Sequence, residues 1–234
     1  MYSESAALYD LIYAPIKDYP AEAGQVAGLL RRARPRCRTL LDVACGTAEH
    51  ARLLGEVHGF EVDGVDLEPK MVAIARAKCP RGRFDVADMT NFHVGRRYDG
   101  VICLFGSIGH VVTLPRVHEA LDCMRDHLAP GGVVVVQPCL TPDTFEIGTD
   151  EYTVVSGDLR VTETRRSERD GRHGRLHLRY TIEGPDGTQH VTEIQELGLF
   201  TVDEMQAAFS AVGLTVVRDP HGPGRGVYVA SMPA

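Results

Sequence analysis

The chain has 234 residues, 25 Lys and Arg against 32 Asp and Glu for a net charge of −7, and 44% hydrophobic residues. This composition supports a full-sized core and excludes disorder as the overall state, while the negative balance disfavours nucleic acid as a partner. No apolar run approaches the ~20 residues of a membrane span, and the first residues lack a basic-then-apolar leader pattern, so a cytoplasmic location is expected.

Six cysteines (Cys37, Cys45, Cys79, Cys103, Cys123, Cys139) form no CxxC pair and sit mostly among apolar neighbours, so neither a zinc site nor a disulfide frame is expected. The length fits one α/β domain with an insertion. Tyr2, Tyr9, Tyr13 and Tyr19 give the start of the chain an aromatic character that only 6% aromatic content makes conspicuous. By themselves they suit a helix packed on a sheet.

From there strand-like and helix-like segments alternate, the pattern of a parallel sheet covered on both faces. Thr39–Ala44, Glu61–Val65, Arg83–Val86, Gly100–Phe105 and Val133–Gln137 read as five strands. Glu68-Pro69 starts a helix carrying Met71, Ile74 and Ala75. Pro115 opens another whose apolar face is Val117, Leu121, Met124 and Leu128, with Arg116, Glu119, Asp122 and Arg125 toward water; Pro130-Gly131-Gly132 closes it.

Beyond Pro138 four alternating segments near 152–156, 159–168, 174–183 and 188–197, joined by Gly157-Asp158, Asp170-Gly171 and Asp186-Gly187, predict an antiparallel insertion. Thr201-Val202-Asp203-Glu204 is a capping box for a helix with Met205, Phe209 and Val212 on one face, ended by Gly213. Two last strands, near Thr215–Arg218 and Val227–Ser231, flank a glycine-rich turn. The expected division is 1–138 with 199–234 as a Rossmann-like core, and 139–198 as the insertion.

Leu40 to His50 is a strand running into a small-residue turn and a helix, where backbone approaches a ligand closely. Neither GxGxxG nor the P-loop lysine is present, so dinucleotide or triphosphate binding is poorly supported. Some 20 residues on, Asp66 ends the second strand in position for a ribose diol. Asp88 follows the third strand, positioned to accept from an adenine amino group, with Met89 adding backbone polarity and an apolar face. Each aspartate taken singly serves equally well as a cap or turn residue. Their order along three successive strand ends argues for a nucleoside site.

Asp42, Gly46, Asp66 and Asp88 in this arrangement resemble class I S-adenosylmethionine-dependent methyltransferases, with departures at Ala44 and Ala48 where glycine is common. Leu8-Tyr9-Asp10-Leu11, Lys17-Asp18-Tyr19, Leu41 to Thr47, Phe105 to His110, Gly131 to Val136, Leu199-Phe200 and Gly224-Arg225-Gly226 are similar to bacterial nucleotide-linked 3-amino-deoxyhexose N,N-dimethyltransferases. The likeness covers nearly the whole chain. It implies a mostly parallel seven-stranded sheet with an antiparallel acceptor platform, S-adenosylmethionine as cofactor, a dTDP-linked amino sugar of antibiotic biosynthesis as acceptor, and a homodimer. It also implies that Tyr9 and Tyr19 reach the cofactor's methionine end, with Ala44, Leu67, Phe105 and Ser107 completing the cofactor set. Tyr2 and Tyr13 would meet the acceptor, and Arg175 and Arg225 its phosphates.

Two segments depart from that family: Cys139-Leu140 stands where an aromatic pair is common, and Ala14-Pro15-Ile16 replaces a glycine-rich approach to Lys17. His110, following the fourth strand, is read as a proton acceptor, as a hydrogen-bonding guide for the amine, or as a loop residue with no part in the chemistry. His50 reads as a packed helix residue. The competing functions are methylation of another small metabolite, a noncatalytic cofactor-binding module and, more remotely, a nicotinamide-dependent dehydrogenase.

Overall fold

A computed structural model describes residues 5–232. The sheet that organises them comes from β-branched and aliphatic runs buried on both faces: β1 (Thr39–Val43), β2 (Glu61–Asp66), β3 (Phe84–Val86), β4 (Tyr98–Cys103) and β5 (Leu128–Val136), all paired in parallel. The period of two is explicit. Leu41, Val43, Val101, Val134 and Val136 pack into one core, while Leu40, Ile102, Val133 and Val135 pack into the other.

The second core is covered by α2 (Tyr19–Ala33), α3 (Glu49–Glu56) and α4 (Pro69–Lys78), which follow the short α1 (Tyr9–Tyr13). The first is covered by α5 (Leu114–Asp126) and α6 (Val202–Ala211). Local chemistry sets the helix starts. Asp18 accepts from the Ala21 amide at 2.9 Å, Glu68 accepts from the Lys70 amide at 3.2 Å, and Thr201 and Glu204 form the predicted capping box.

Four further strands, β6 (Gly148–Ser156), β7 (Leu159–Asp170), β8 (His173–Gly184) and β9 (Gly187–Gly198), form a separate antiparallel sheet in sequence order. The chain then returns through α6 to β10 (Thr215–Asp219) and β11 (Val227–Ser231). β11 inserts antiparallel between β5 and β10, giving seven strands in the order β10-β11-β5-β4-β1-β2-β3. Ile12 of α1 fixes the platform to the core by packing on Val161, Leu178 and Tyr180.

Two expectations shift. Pro130-Gly131-Gly132 lies inside β5 rather than after a helix, because Leu128 already pairs with Tyr98 before a register shift resumes pairing at Gly100 with Val133. Leu128 therefore belongs to the strand, although it still packs in the core shared with α5. The six cysteines are free thiols. Among the described residues, no helix is long and apolar enough to cross a membrane.

Candidate active site

The turn after β1 is built from left-handed residues: Ala44 (φ +59°), Gly46 (φ +56°) and Ala48 (φ +62°). Alanine pays a steric cost there that glycine avoids. Ala48 offsets it by complete burial under α3, and Ala44 lines the cleft. A Cβ on Gly46 would meet nothing within 4 Å, so its missing side chain leaves open space at the cleft.

That cleft encloses about 440 Å³ at the carboxyl ends of β1 to β4. Tyr9, Ala44, Gly46, Asp66, Leu67, Asp88, Met89 and Ser107 of the expected cofactor set line it, and so does His110. Asp66 accepts from the Gly46 amide (2.8 Å) and the Glu68 amide (2.9 Å), so the carboxylate also braces the turn. Burial pushes its carboxyl up, against the pull of those backbone donors. Asp88 accepts from the Thr90 amide and hydroxyl at 2.9 and 2.8 Å and pairs with Arg116 at 2.8 Å. Its turn role and its place in the cleft coexist. Arg116, read as facing water, also lines the cleft.

A small hollow adjoins the cleft, bounded by Tyr9, Tyr19, Asp42, Thr47, His50 and Phe105 among others. Asp42 is 3% exposed, and burial, reinforced by the Asp66 carboxylate, pushes its carboxyl up to about 8. Tyr19 is buried against His50 (4.9 Å between rings), and the His50 Nε2 lies 3.1 Å from Glu22, so this histidine is packed between helices. Lys17 is buried, bonded to Glu22 at 2.5 Å and seated 3.9 Å over the Phe105 ring. Tyr13 stacks near Tyr9 (4.6 Å) and edges Phe105 (5.6 Å).

His110 sits in a single 3-10 turn, Ser107–Val111, which sequence periodicity is too short to reveal. It starts after left-handed Phe105 and Gly106 and ends at Val112 (φ +66°), where the Thr113 amide bonds back to the Val111 carbonyl at 2.7 Å. This tight three-residue closure is costly for a β-branched residue. Gly109 admits no side chain because a Cβ would lie 2.5 Å from Cys139 Sγ. The His110 ring hydrogen-bonds to the Glu196 backbone on β9, and burial lowers its pKa to about 4. The imidazole is therefore neutral throughout the physiological range.

A second cavity of about 510 Å³ lies between the platform and the carboxyl edge of the main sheet. Arg165, Arg218 and Arg225 line it with Cys139, Leu140 and Phe145. Arg225 was the one chosen from sequence; Arg165 and Arg218 join it only through the fold. Gln137, just past β5, ties two turns together: its Oε1 accepts from the Phe105 amide at 2.5 Å and its Nε2 donates to the Pro223 carbonyl at 3.2 Å. Arg175 lies apart from the other three, paired with Glu196 at 2.9 Å on the face that borders the cofactor cleft. Tyr2 lies outside the described residues.

The strand order and the acid-lined cleft at the ends of β1 to β3 define a class I S-adenosylmethionine-dependent methyltransferase. The family described as "Methyltransferase domain" matches residues 40–132. The dTDP-3-amino-3,6-dideoxy-alpha-D-glucopyranose N,N-dimethyltransferase of Streptomyces fradiae is 41% identical over 96% of this chain and 89% of its own length. The chain belongs to this dTDP-aminosugar N,N-dimethyltransferase family.

Among solved structures, Streptomyces venezuelae DesVI superposes with a TM-score of 0.92 at 36% identity, covering 99% of each chain. CalS10 with bound S-adenosylmethionine, an amino pentose methyltransferase from Micromonospora echinaspora, gives a TM-score of 0.86 at 34% identity over 97% of each chain.

The cleft fits S-adenosylmethionine as cofactor. Its volume lies within the range of small-molecule sites, and the open space at Gly46 lets backbone approach a ligand. Acidic groups line it, acceptors of the kind that the cationic and diol groups of the cofactor need.

Proposed function

We propose that the chain transfers methyl groups, twice in succession, to the amine of a dTDP-linked amino-deoxysugar in antibiotic sugar biosynthesis. The observation that carries this is the pairing of an acid-lined cofactor cleft with a neighbouring arginine-lined cavity, whose wall residue Cys139 packs against Gly109 of the His110 turn. In this reading residues 1–138 and 199–234 hold the cofactor, and 139–198 form the acceptor platform. A homodimer acting in the cytoplasm completes it, on the likeness to the family.

Asp66 would hold the ribose, Asp88 and Met89 the adenine, with Leu67 beside them. Tyr9, Tyr19, Asp42, Ala44, Gly46, Phe105 and Ser107 would surround the methionine end. Bound there, S-adenosylmethionine supplies an electrophilic methyl group. Tyr13, and Tyr2 beyond the described residues, would close over the acceptor and exclude water. Alignment of an unprotonated amine needs no strong base, and positioning alone contributes on the order of 7–11 kcal/mol.

Of the readings of His110, geometry favours positioning. Its bond to the Glu196 backbone raises its pKa against the larger effect of burial, which marks the ring as the donor to a carbonyl. The other nitrogen is then an acceptor for an amine N–H. A group with a pKa of about 4 is a poor resting place for the amine's proton, which leaves to solvent. His110→Asn, whose amide oxygen also accepts, is expected to keep most turnover, and His110→Ala to lose about 100-fold in kcat/KM. The acid limb of the wild-type profile should follow the substrate amine. A limb that His110→Asn abolishes, with turnover recovered at high pH, would instead make His110 the base.

Arg225, with Arg165 and Arg218 in the same cavity, would meet the diphosphate; Arg175, expected from the sequence to join Arg225, lies on the opposite face of the platform, paired with Glu196. Arg225→Gln is expected to raise KM for the nucleotide sugar about tenfold or more while leaving S-adenosylhomocysteine affinity unchanged. An unaltered KM would remove Arg225 from the site. The function itself is tested by product mass with dTDP-3-amino-3,6-dideoxyglucose: gains of one and then two CH₂ units are expected, and no gain with any amino sugar would point to another small acceptor.

A further inference from the structure

The two faces of β9 look in different directions. Ile194 and Glu196 border the cofactor cleft, and Gln195 between them faces the opposite way. Ser167, Leu176 and Gln195 stand directly opposite one another across β7, β8 and β9, so their side chains share a face. Ser167 and Leu176 line the arginine-lined cavity, as does Arg165 from the next row of the same face.

Gln195 is 2% exposed, and among the described residues its amide nitrogen has no hydrogen-bond partner. The polar group nearest it along β9 on that face is already engaged, since Glu193 accepts from the Ser5 amide at 3.0 Å and the Ser5 hydroxyl at 2.8 Å. A buried donor left unmade carries a desolvation cost that no described residue offsets, whereas leucine or methionine would fill the same place without it. The residue next to it, Glu196, supplies the backbone that holds His110. Cys139, on the wall of the arginine-lined cavity, packs against Gly109 of the His110 turn. Gln195 therefore stands between the group that would orient the amine and the arginines that would hold the phosphates.

Resting on the sugar-nucleotide reading above, we infer that the Gln195 amide nitrogen donates to a ring hydroxyl flanking the acceptor amine. This makes the enzyme selective for an acceptor that keeps that hydroxyl over its deoxy counterpart. The flanking hydroxyl is at C4 or at C2, and the two have the same chemistry. Substrate analogues separate them.

The test measures kcat/KM for dTDP-3-amino-3,6-dideoxyglucose and its 4-deoxy and 2-deoxy analogues, with wild type and Gln195→Met, which keeps length and volume but removes the donor. Wild type is expected to lose tenfold or more on one analogue. Gln195→Met should lose the same factor on the parent sugar, lose nothing on that analogue, and bind S-adenosylhomocysteine normally. The analogue that loses identifies the hydroxyl. Equal use of all three acceptors by wild type overturns the inference without any variant. So does a Gln195→Met enzyme that is slowed equally on all three, or on none. Methylation of no acceptor by wild type would overturn the sugar-nucleotide reading and this inference with it.

Discussion

Asp42→Asn is expected to make the ligand-free protein more heat-stable than wild type above pH 8, and to remove a proton release that accompanies cofactor binding near neutrality. The carboxyl ends β1 inside the sheet, 3% exposed, and is pushed up to about 8 by burial and by Asp66. A folded-state pKa raised above the unfolded value of about 3.9 means that folding takes up a proton between the two. The stabilising contribution is complete below about pH 4 and is lost as pH rises through 8, a change on the order of 5 kcal/mol.

Asparagine carries no such penalty, so the two stability curves should diverge progressively from about pH 4 to 8 and run parallel above that. Asp42 shares its hollow with Tyr9 and Tyr19, where the methionine end of the cofactor would lie. An α-ammonium arriving there favours the ionised carboxyl. At pH 7 calorimetry in buffers of different ionisation enthalpy should register close to one proton released by wild type and none by the variant. Buffer-independent heats for wild type, or stability curves parallel throughout, would remove Asp42 from the methionine end.

The second large effect belongs to Asp66→Asn, for which S-adenosylhomocysteine affinity is expected to fall at least 100-fold. Two hydrogen bonds from a diol to a carboxylate are worth about 1.5–3 kcal/mol each. The carboxylate already orders the Gly46 and Glu68 amides, so the same change loosens the turn that shapes the cleft. Melting temperature separates the two roles. A lower melting temperature with affinity within threefold of wild type would leave Asp66 a bracing residue and nothing more.

Much of this molecule is legible in its pattern. Aliphatic runs such as Val133–Val136 are buried on both sides and can only be central strands. The alternation after Pro138 and the turns at Gly157, Asp170-Gly171 and Asp186-Gly187 yield β7, β8 and β9 to within two residues at each end, whereas β6 starts at Gly148, four residues before the alternation reads as a strand. Asp42, Gly46, Asp66 and Asp88 are legible because a parallel sheet brings successive strand ends to one edge. The 3-10 turn of His110 escaped, since one turn stabilised by Gly106, Gly109 and its packing on Cys139 has no periodicity to detect. β5 was read five residues short because proline and two glycines in a strand are tolerated only where a register shift accommodates them.

Local sequence determined the elements, their caps and the order of acids along the strand ends, because these depend on neighbours within a few residues. Tertiary structure alone decided which arginines share a cavity. Arg165 comes from β7, Arg218 from β10 and Arg225 from the turn between β10 and β11, and only the insertion of β11 between β5 and β10 brings them together. It also decided that one face of β9 meets the cofactor cleft while Gln195 shares the opposite face with Ser167 and Leu176 of the arginine-lined cavity. Register across three strands sets that, and pairing between segments far apart in sequence depends on packing that no single segment encodes.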